Sequence, residues 1–473
     1  MNHGLAAGWM LLGLGGPPLP WPAFAAGALL LSCRPAVRDS ARAVAPPLVI
    51  RNVTLIDGTG AGPRSAMTIV VRDGRIGVVE SNALVNPQEN ATVVDGSGRY
   101  LIPGLWDMHV HLSKTGETAL PLFLANGITS VRDLGSDFRE VSQWRAEIDA
   151  GQRVGPRIKT AGPYLESASN VRRMLRENVI EPVARTRIGI ATPEDASRIV
   201  DSVAKLGVDL LKFRTFESKE VYFAIGAAAR RAGLELAGHA DRLTPDEIIK
   251  AGQRSIEHSR VLASQDDVRR LEEFRRLAAA GVVVVQTINV VLSSLLVPDT
   301  AAAAIVDDGT GRRDPRRKYI AERLLADWRE QVPERSSEAV QEMRQLLPAG
   351  IKRVKEMHQA GMSFMPGSDV GVLLIYPGFG LHDELHAWVR VLSIPPMEAL
   401  VSATREPARW FGMEDSLGTV EVGKLADLVL LEEDPLAGIE NTKRIRAVVR
   451  RGRLFDRAAL DRMLADVEAE VRR

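Results

Sequence analysis

Trp106-Asp107-Met108-His109-Val110-His111 decides how the rest of the chain is read. The run is apolar apart from one acid and two histidines, as in a buried strand with a polar end. Side chains alternate across a strand, so His109 and His111 share a face, with Asp107 one step deeper. Two imidazoles at that spacing can share a metal ion, and an acid behind them can orient a ligand. Pro103 and Gly104 turn the chain into this strand.

Outside this strand the chain changes character in both directions. Short β-prone runs precede it: Leu48-Val49-Ile50, Met67 to Val71, Arg75 to Val79, Val93-Val94 and Leu101-Ile102. Asp73-Gly74 marks a hairpin, because glycine tolerates positive φ. Asp427 to Leu431 and Ile445 to Arg450 repeat the style in the tail. These runs predict a small β-sandwich domain built from both chain ends, residues 46–104 and 413–455, then a charged helix over 456–473.

Residues 105–412 alternate apolar β runs with helical stretches, which predicts parallel strands with helical crossovers. The strands are expected at Trp106–His111, Ile128–Asp133, Arg157–Gly162, Asp209–Phe213, Leu234–His239, Ser255–His258, Val282–Thr287 and Met362–Ser368. Eight is the number that closes a (β/α)8 TIM barrel, so the fold class is α/β. The stretch 298–356 is long, charged and helix-prone, and reads as an insertion near the barrel mouth.

Barrel enzymes carry their sites at the C-terminal ends of the strands. Four of the eight histidines fall there: His109, His111, His239 and His258. One histidine alone is more often a satisfied polar residue than a ligand; four at strand ends are hard to attribute to chance. Asp369 closes Met365-Pro366-Gly367-Ser368-Asp369 after the eighth strand, where a carboxylate can ligate a metal and relay protons. Lys212 ends an apolar strand, where a cation is costly. It either pairs with a carboxylate or persists partly as free amine, able to add CO₂ and become an anionic carbamate. Glu257, next to His258, is expected to alternate outward and be structural. His382-Asp383-Glu384-Leu385-His386 places two histidines on one helix face, but Asp383 stands where a zincin helix needs glutamate. His382 is therefore expected to border the mouth and His386 to lie on a helix surface.

The formal net charge of +1 offers no basic excess for nucleic acid, and a small-molecule substrate is expected. Homo-oligomer formation is left open by the sequence. With one cysteine, Cys33, the chain forms no internal disulfide. Residues 1–45 are rich in Ala, Gly, Leu and Pro and read as an export signal or, alternatively, a disordered leader. Ala23-Phe24-Ala25 fits ordinary cleavage, and Leu30-Leu31-Ser32-Cys33 fits a lipoprotein box that would anchor the protein through Cys33. The expected location is thus periplasmic, secreted or lipid-anchored, and cytoplasmic if the leader is no signal. Pro17, Pro18, Pro20 and Pro22 argue against a transmembrane helix there.

Taken together, residues 48 to about 460 resemble the metal-dependent amidohydrolase superfamily, in its imidazolonepropionase-like and dipeptidase-like branch. The carriers are Ile102 to His111, Gly127-Ile128-Thr129-Ser130-Val131-Arg132-Asp133, Ala237-Gly238-His239, Ile256-Glu257-His258, Gly367-Ser368-Asp369 and Leu417 to Val429. The resemblance implies hydrolysis of a C–N bond in a small amide or cyclic amide. It implies two zinc ions per chain, one held by His109, His111 and Asp369, the other by His239 and His258, with carbamylated Lys212 bridging. Asp369 is then the general acid and base toward a metal-activated hydroxide. Gly162-Pro163-Tyr164-Leu165-Glu166-Ser167 departs from the Gly-Gly-His of many dipeptide-cleaving members, and Arg214-Thr215-Phe216 follows the fourth strand. A metallo-dipeptidase is the alternative, with Arg214 facing a substrate carboxylate or forming a structural salt bridge. A non-catalytic scaffold is a third reading, which the full ligand set disfavours.

Overall fold

The computed structural model describes residues 46–82, 90–177 and 183–473. The leader, including His3, Cys33 and both processing motifs, lies outside the described residues. The N-terminal strands are β1 (Leu48–Leu55), β2 (Arg64–Arg72), β3 (Arg75–Ser81), β4 (Thr92–Asp95) and β5 (Tyr100–Pro103). The middle of the chain supplies β6 (Leu105–Val110), β7 (Ile128–Asp133), β8 (Arg157–Thr160), β9 (Tyr164–Ser167) and β10 (Arg187–Ile190). It continues with β11 (Leu211–Phe213), β12 (Leu236–Ala240), β13 (Gln253–Val261), β14 (Val283–Gln286) and β15 (Phe364–Pro366). The tail adds β16 (Leu428–Leu431), β17 (Ile445–Arg450), β18 (Arg453–Asp456) and a helix, Arg457–Val471.

Both chain ends meet in one hydrogen-bonded sheet, ordered β18-β17-β16-β5-β1-β2-β3, with β4 paired to β1. The sequence reads this part as a sandwich; the hydrogen bonding joins its eight strands as a single sheet. Val53, Leu55, Ile69 and Val71 pack with Leu428 and Leu430 beneath it. Each such side chain removed from water contributes roughly 1.5–3 kcal/mol. Antiparallel pairing of β16 with β5 joins the returning tail to the first half.

The middle is α/β with parallel strands, and all eight expected strands are present. They fall into two parallel ladders, β10-β9-β11-β12-β13-β14-β15 and β6-β7-β8. No continuous ladder closes them. Isolated backbone bonds cross the gaps: Asp209 N donates to Thr160 O at 2.9 Å, and between β15 and β6 Asp369 N donates to His109 O at 2.7 Å and His111 N to Val370 O at 3.1 Å. Strands β9 and β10 were not anticipated. They are four residues each, and β9 is half polar, Tyr164-Leu165-Glu166-Ser167, so neither offers an apolar run to read.

The seam between β15 and β6 depends on Gly367. A Cβ there would stand 2.5 Å from His109 Cβ and 3.0 Å from His109 N. The bare glycine lets the two strand ends approach until Asp369 bonds to the His109 carbonyl. Between β14 and β15 lies the predicted insertion, now seen as helices Asp299–Val306, Glu322–Gln331 and the start of Ser337–Gln359. Trp328 buries the middle helix against Leu373, Leu374 and Tyr376, just beyond Asp369. Among the described residues no single helix is long and apolar enough to cross a membrane.

Gly367→Ala is expected to cost about 1–3 kcal/mol of stability, because backbone as well as side chain must shift to admit the methyl group. The midpoint of urea unfolding, compared with the wild-type chain, measures it.

Candidate active site

The strand ends bring all six predicted residues to one cavity of about 340 Å³. His109, His111 and Asp369 form its tightest group, with donor atoms within 4.8 Å of one another. Asp369 Oδ1 lies 3.1 Å from His111 Nε2 and 3.4 Å from His109 Nε2. Its Oδ2 lies 3.9 Å from His258 Nδ1. The His258 ring is 4.7 Å from that of His109 and 5.0 Å from that of His239, centroid to centroid. The donors are thus contiguous from β6 through β15 to β13 and β12.

The strand ends are bent to make this possible. His258 and Ser259 have φ of +65° and +57°, and Asp369 has +59°, a region that costs a non-glycine residue energy. The bend at His258 breaks the two-residue alternation. Glu257 and His258 both face the interior, which corrects the expectation that Glu257 points outward. Glu257 is buried and accepts from His109 Nδ1 at 2.8 Å and from Ser255 Oγ at 2.6 Å. Arg132 donates to its two oxygens at 2.8 and 2.9 Å. Burial opposes ionisation of Glu257, but the charges of Arg132 and Lys212 and the His109 bond hold its carboxyl well below the usual range. An ionised Glu257 fixes the proton of His109 on Nδ1 and leaves Nε2 as a lone pair facing Asp369. Histidine metal ligands are commonly oriented in this way.

Burial also keeps the rings neutral, lowering His109 to about 3 and His258 to about 4, with His239 well below its ordinary value. For Asp369 burial raises the pKa, but the nearby histidines outweigh it and the carboxyl stays ionised well below the normal range. Asp107 acts on backbone rather than on a ring. Its Oδ1 accepts from His109 N at 3.3 Å and Ser368 N at 2.8 Å, tying β6 to the Asp369 turn. Burial pushes Asp107 up to about 7.

Lys212 is 1% exposed, and its Nζ has no hydrogen-bond partner among the described residues. The carboxylate pairing that the sequence left open is therefore absent. Burial lowers its pKa to about 8, against the pull of Glu257 and Asp369. A solitary buried amine among histidines is what a carbamate-forming lysine requires before modification, and an anion there would satisfy an otherwise costly vacancy in bonding. The donor set of histidines, carboxylate and lysine fits a divalent metal centre.

Sequence reasoning passed over Tyr164, whose hydroxyl lies 3.0 Å from His111 Nδ1. It stood inside the stretch that departs from the dipeptide-cleaving pattern, and that departure was its one signal. Arg187 stacks on its ring at 4.5 Å and pairs with Glu166. The insertion lines the mouth through Asp327, Gln331 and Glu334. Gln331 donates to Gly371 O at 3.0 Å and accepts from Leu373 N at 2.8 Å, so the insertion is pinned to the loop after Asp369. Arg214 lines the same cavity and makes no side-chain ion pair among the described residues. His382 does not border this mouth. It is buried elsewhere, with Nε2 donating to Asn126 O at 2.9 Å and Nδ1 2.9 Å from Thr442 Oγ1.

A sequence model of the amidohydrolase family matches residues 100–455, about three quarters of the chain. The chain belongs to the amidohydrolase family. Within that family it is 30% identical over 107 residues to the dihydroorotase of Thermus aquaticus, 23% of each chain. The chain therefore spans under a quarter of that relative's length. A longer match, 23% identical over 409 residues, is to the "Probable imidazolonepropionase" of Nematostella vectensis, covering 81% of this chain and 87% of that one. The fold matches a crystal structure of a Xaa-Pro dipeptidase with methionine bound in its active site, with a TM-score of 0.65 and 22% identity over 87% of this amidohydrolase and all of that chain.

Glu257→Gln should weaken divalent-metal affinity about 10- to 100-fold, since His109 loses its anionic partner. It should also destabilise the fold by about 3–5 kcal/mol, because Arg132 is left buried without a counter-charge. Equilibrium dialysis and denaturant midpoints read the two effects separately.

Proposed function

We propose that this amidohydrolase hydrolyses a C–N bond in a small amide or cyclic amide at the cavity formed by His109, His111, Lys212, His239, His258 and Asp369. The observation that carries the reading is the convergence of these groups on Asp369, with His109 held by Glu257 in the ligand tautomer. In the proposal His109, His111 and Asp369 hold one divalent ion, and His239 and His258 a second, with zinc the expected metal. Lys212 Nζ, buried and without a hydrogen-bond partner among the described residues, would add CO₂ with loss of a proton and as a carbamate would supply an anionic ligand. The metals when bound supply Lewis acidity and a nucleophilic water near neutral pH.

The chain's own residues do the rest. Asp369 is ionised and buried, with Oδ1 toward His109 and His111 and Oδ2 3.9 Å from His258 Nδ1. It accepts a proton from the attacking water and returns it to the leaving nitrogen. Tyr164 braces His111, its hydroxyl 3.0 Å from Nδ1 and 3.3 Å from Nε2. The insertion helix Glu322–Gln331, pinned by Gln331, limits water entry and sets the size of the substrate.

A second reading, cleavage of Xaa-Xaa dipeptides, is favoured by one feature. Arg214, which makes no ion pair among the described residues, lines the cavity, and the insertion brings acids to the same lining, Asp327 beside Lys114 at 3.0 Å and Glu334 beside Arg335 at 3.4 Å. A zwitterion with separated ends would meet both signs of charge.

Asp369→Asn keeps the side-chain shape, and asparagine tolerates the left-handed backbone at this position. It should lower kcat by about 10²–10⁴-fold in a screen of N-acyl amino acids, dipeptides, lactams and lactones. Near-wild-type turnover would sink the role given to Asp369. Metal-stripped protein should reload to two ions per chain with bicarbonate present and fall short in CO₂-free buffer. One ion per chain in both buffers would remove the bridging role from Lys212. Arg214→Ala should raise KM about tenfold for a dipeptide while leaving a neutral lactam unaffected; equal effects on both would count against the dipeptide reading.

A further inference from the structure

A larger cavity, of about 780 Å³, lies apart from the histidine cluster and shares none of its residues. Its volume falls within the range of small-molecule sites. Two π-helical turns face it, Val291–Leu295 and Trp388–Leu392. Leu292 and Ser293 come from the first, Arg390 and Val391 from the second. A π turn departs from regular helical bonding and is frequent at functional sites. Two of them on one cavity, from segments about a hundred residues apart, need a common cause.

The wall also holds an unsatisfied amide. Asn289 is 3% exposed and lines the cavity, and its Nδ2 has no partner among the described residues. Its Oδ1 is already engaged by the Ser293 hydroxyl at 2.6 Å. A buried donor left unmade costs about 1–3 kcal/mol, a cost that this wall carries beneath its surface. Its backbone is clamped too: Glu384 accepts from Ile288 N at 3.0 Å and Asn289 N at 2.6 Å. The amide is therefore held in place rather than free to turn away.

Charge and polarity narrow the ligand. Leu292, Phe379, Ala387 and Val391 give the cavity an apolar surface. Its charged lining is Arg316, Arg390 and Lys443 against Asp383 alone. Asp383 is shared by Arg316 at 2.6 Å and Lys443 at 2.7 Å. Arg390 is exposed and makes no ion pair among the described residues. His382 and His386 do not form a zincin pair, since both His382 nitrogens are engaged.

We propose that this cavity is a second ligand site, distinct from the metal centre, for a small amphipathic carboxylate. The apolar body lies among Leu292, Phe379 and Val391, and the carboxylate meets Arg390. Sodium octanoate is the probe, titrated calorimetrically into the full-length, metal-loaded protein. Saturable binding at one site per chain is expected, with octanamide about threefold weaker. Arg390→Ala, a change at an exposed side chain, should raise the octanoate dissociation constant about threefold or more. Leu292→Trp, which fills the cavity, should abolish binding. Arg214→Ala, in the histidine cavity, should leave it unchanged. Absence of saturable binding to the wild-type chain overturns the proposal. So does wild-type affinity in Arg390→Ala, which remains informative if Leu292→Trp fails to fold. Loss of binding in Arg214→Ala places octanoate at the metal centre and overturns it as well. Sedimentation of the wild-type chain completes the test: a dimer that Arg390→Ala dissociates and octanoate does not affect makes this face a subunit contact, which also overturns it.

Discussion

The buried carboxylate of Glu257 is the interaction on which the site depends. It sits between Arg132 on β7 and His109 on β6, while its own strand, β13, lies across the interior. Taking such charges out of water costs several kcal/mol per ion, recovered only when each finds its partners. Here the partners are complete for the acid: two bonds from Arg132, one from Ser255 and one from His109. Arg132 also donates to the Met108 carbonyl at 2.7 Å and to Ser255 Oγ at 3.1 Å. The network therefore locks the position of β6, β7 and β13 relative to one another and decides which nitrogen of His109 faces Asp369. Stability and ligand geometry rest on the same atoms.

A second constraint is backbone strain. Left-handed conformations at His258, Ser259 and Asp369 cost of order 1–3 kcal/mol each and persist only where surrounding bonds over-determine them. At Asp369 those bonds are visible: its N–H meets the His109 carbonyl, and Asp107 accepts from Ser368 N. Gly367 supplies the close approach that both bonds need. At His258 the ring is caught by Thr287, 2.8 Å from Nδ1. The strain places successive residues, Glu257 and His258, on the same side of one strand, so one performs the positioning and the other faces the cavity.

Much of this was legible in the sequence because it follows periodicity. The spacing of His109 and His111, the eight apolar runs and the Asp73-Gly74 hairpin express local geometry, and the strands appear where those patterns put them. Glu257 was misread for a reason of the same kind: two-residue alternation is a valid rule until φ turns positive, and nothing in Glu257-His258-Ser259 announces that turn. Tyr164 and β9 escaped because a four-residue, half-polar strand carries no periodic signal. Whether Lys212 pairs with an acid could not be read either, since partnership depends on three-dimensional neighbours. Its solitary amine emerges only when β11 is set beside β12, with Arg132 taking the Glu257 carboxylate.

The segment after β14 links the two cavities. Thr287 touches His258 at the metal-binding side, and Ile288 and Asn289, the next residues, hang from Glu384 on the other. Glu384 also accepts from the Trp388 indole at 2.6 Å, where the second π turn begins. A side chain that holds both the start of one π turn and the start of another sets their separation. An occupant of the larger cavity that displaced Asn289 would first work against these three bonds, and only the remainder could reach His258. Coupling along this segment is bounded by the differential contacts that an occupant makes with it. The insertion is a second connection: Arg316 lines the larger cavity, while Gln331, pinned to the loop after Asp369, lines the metal-binding one.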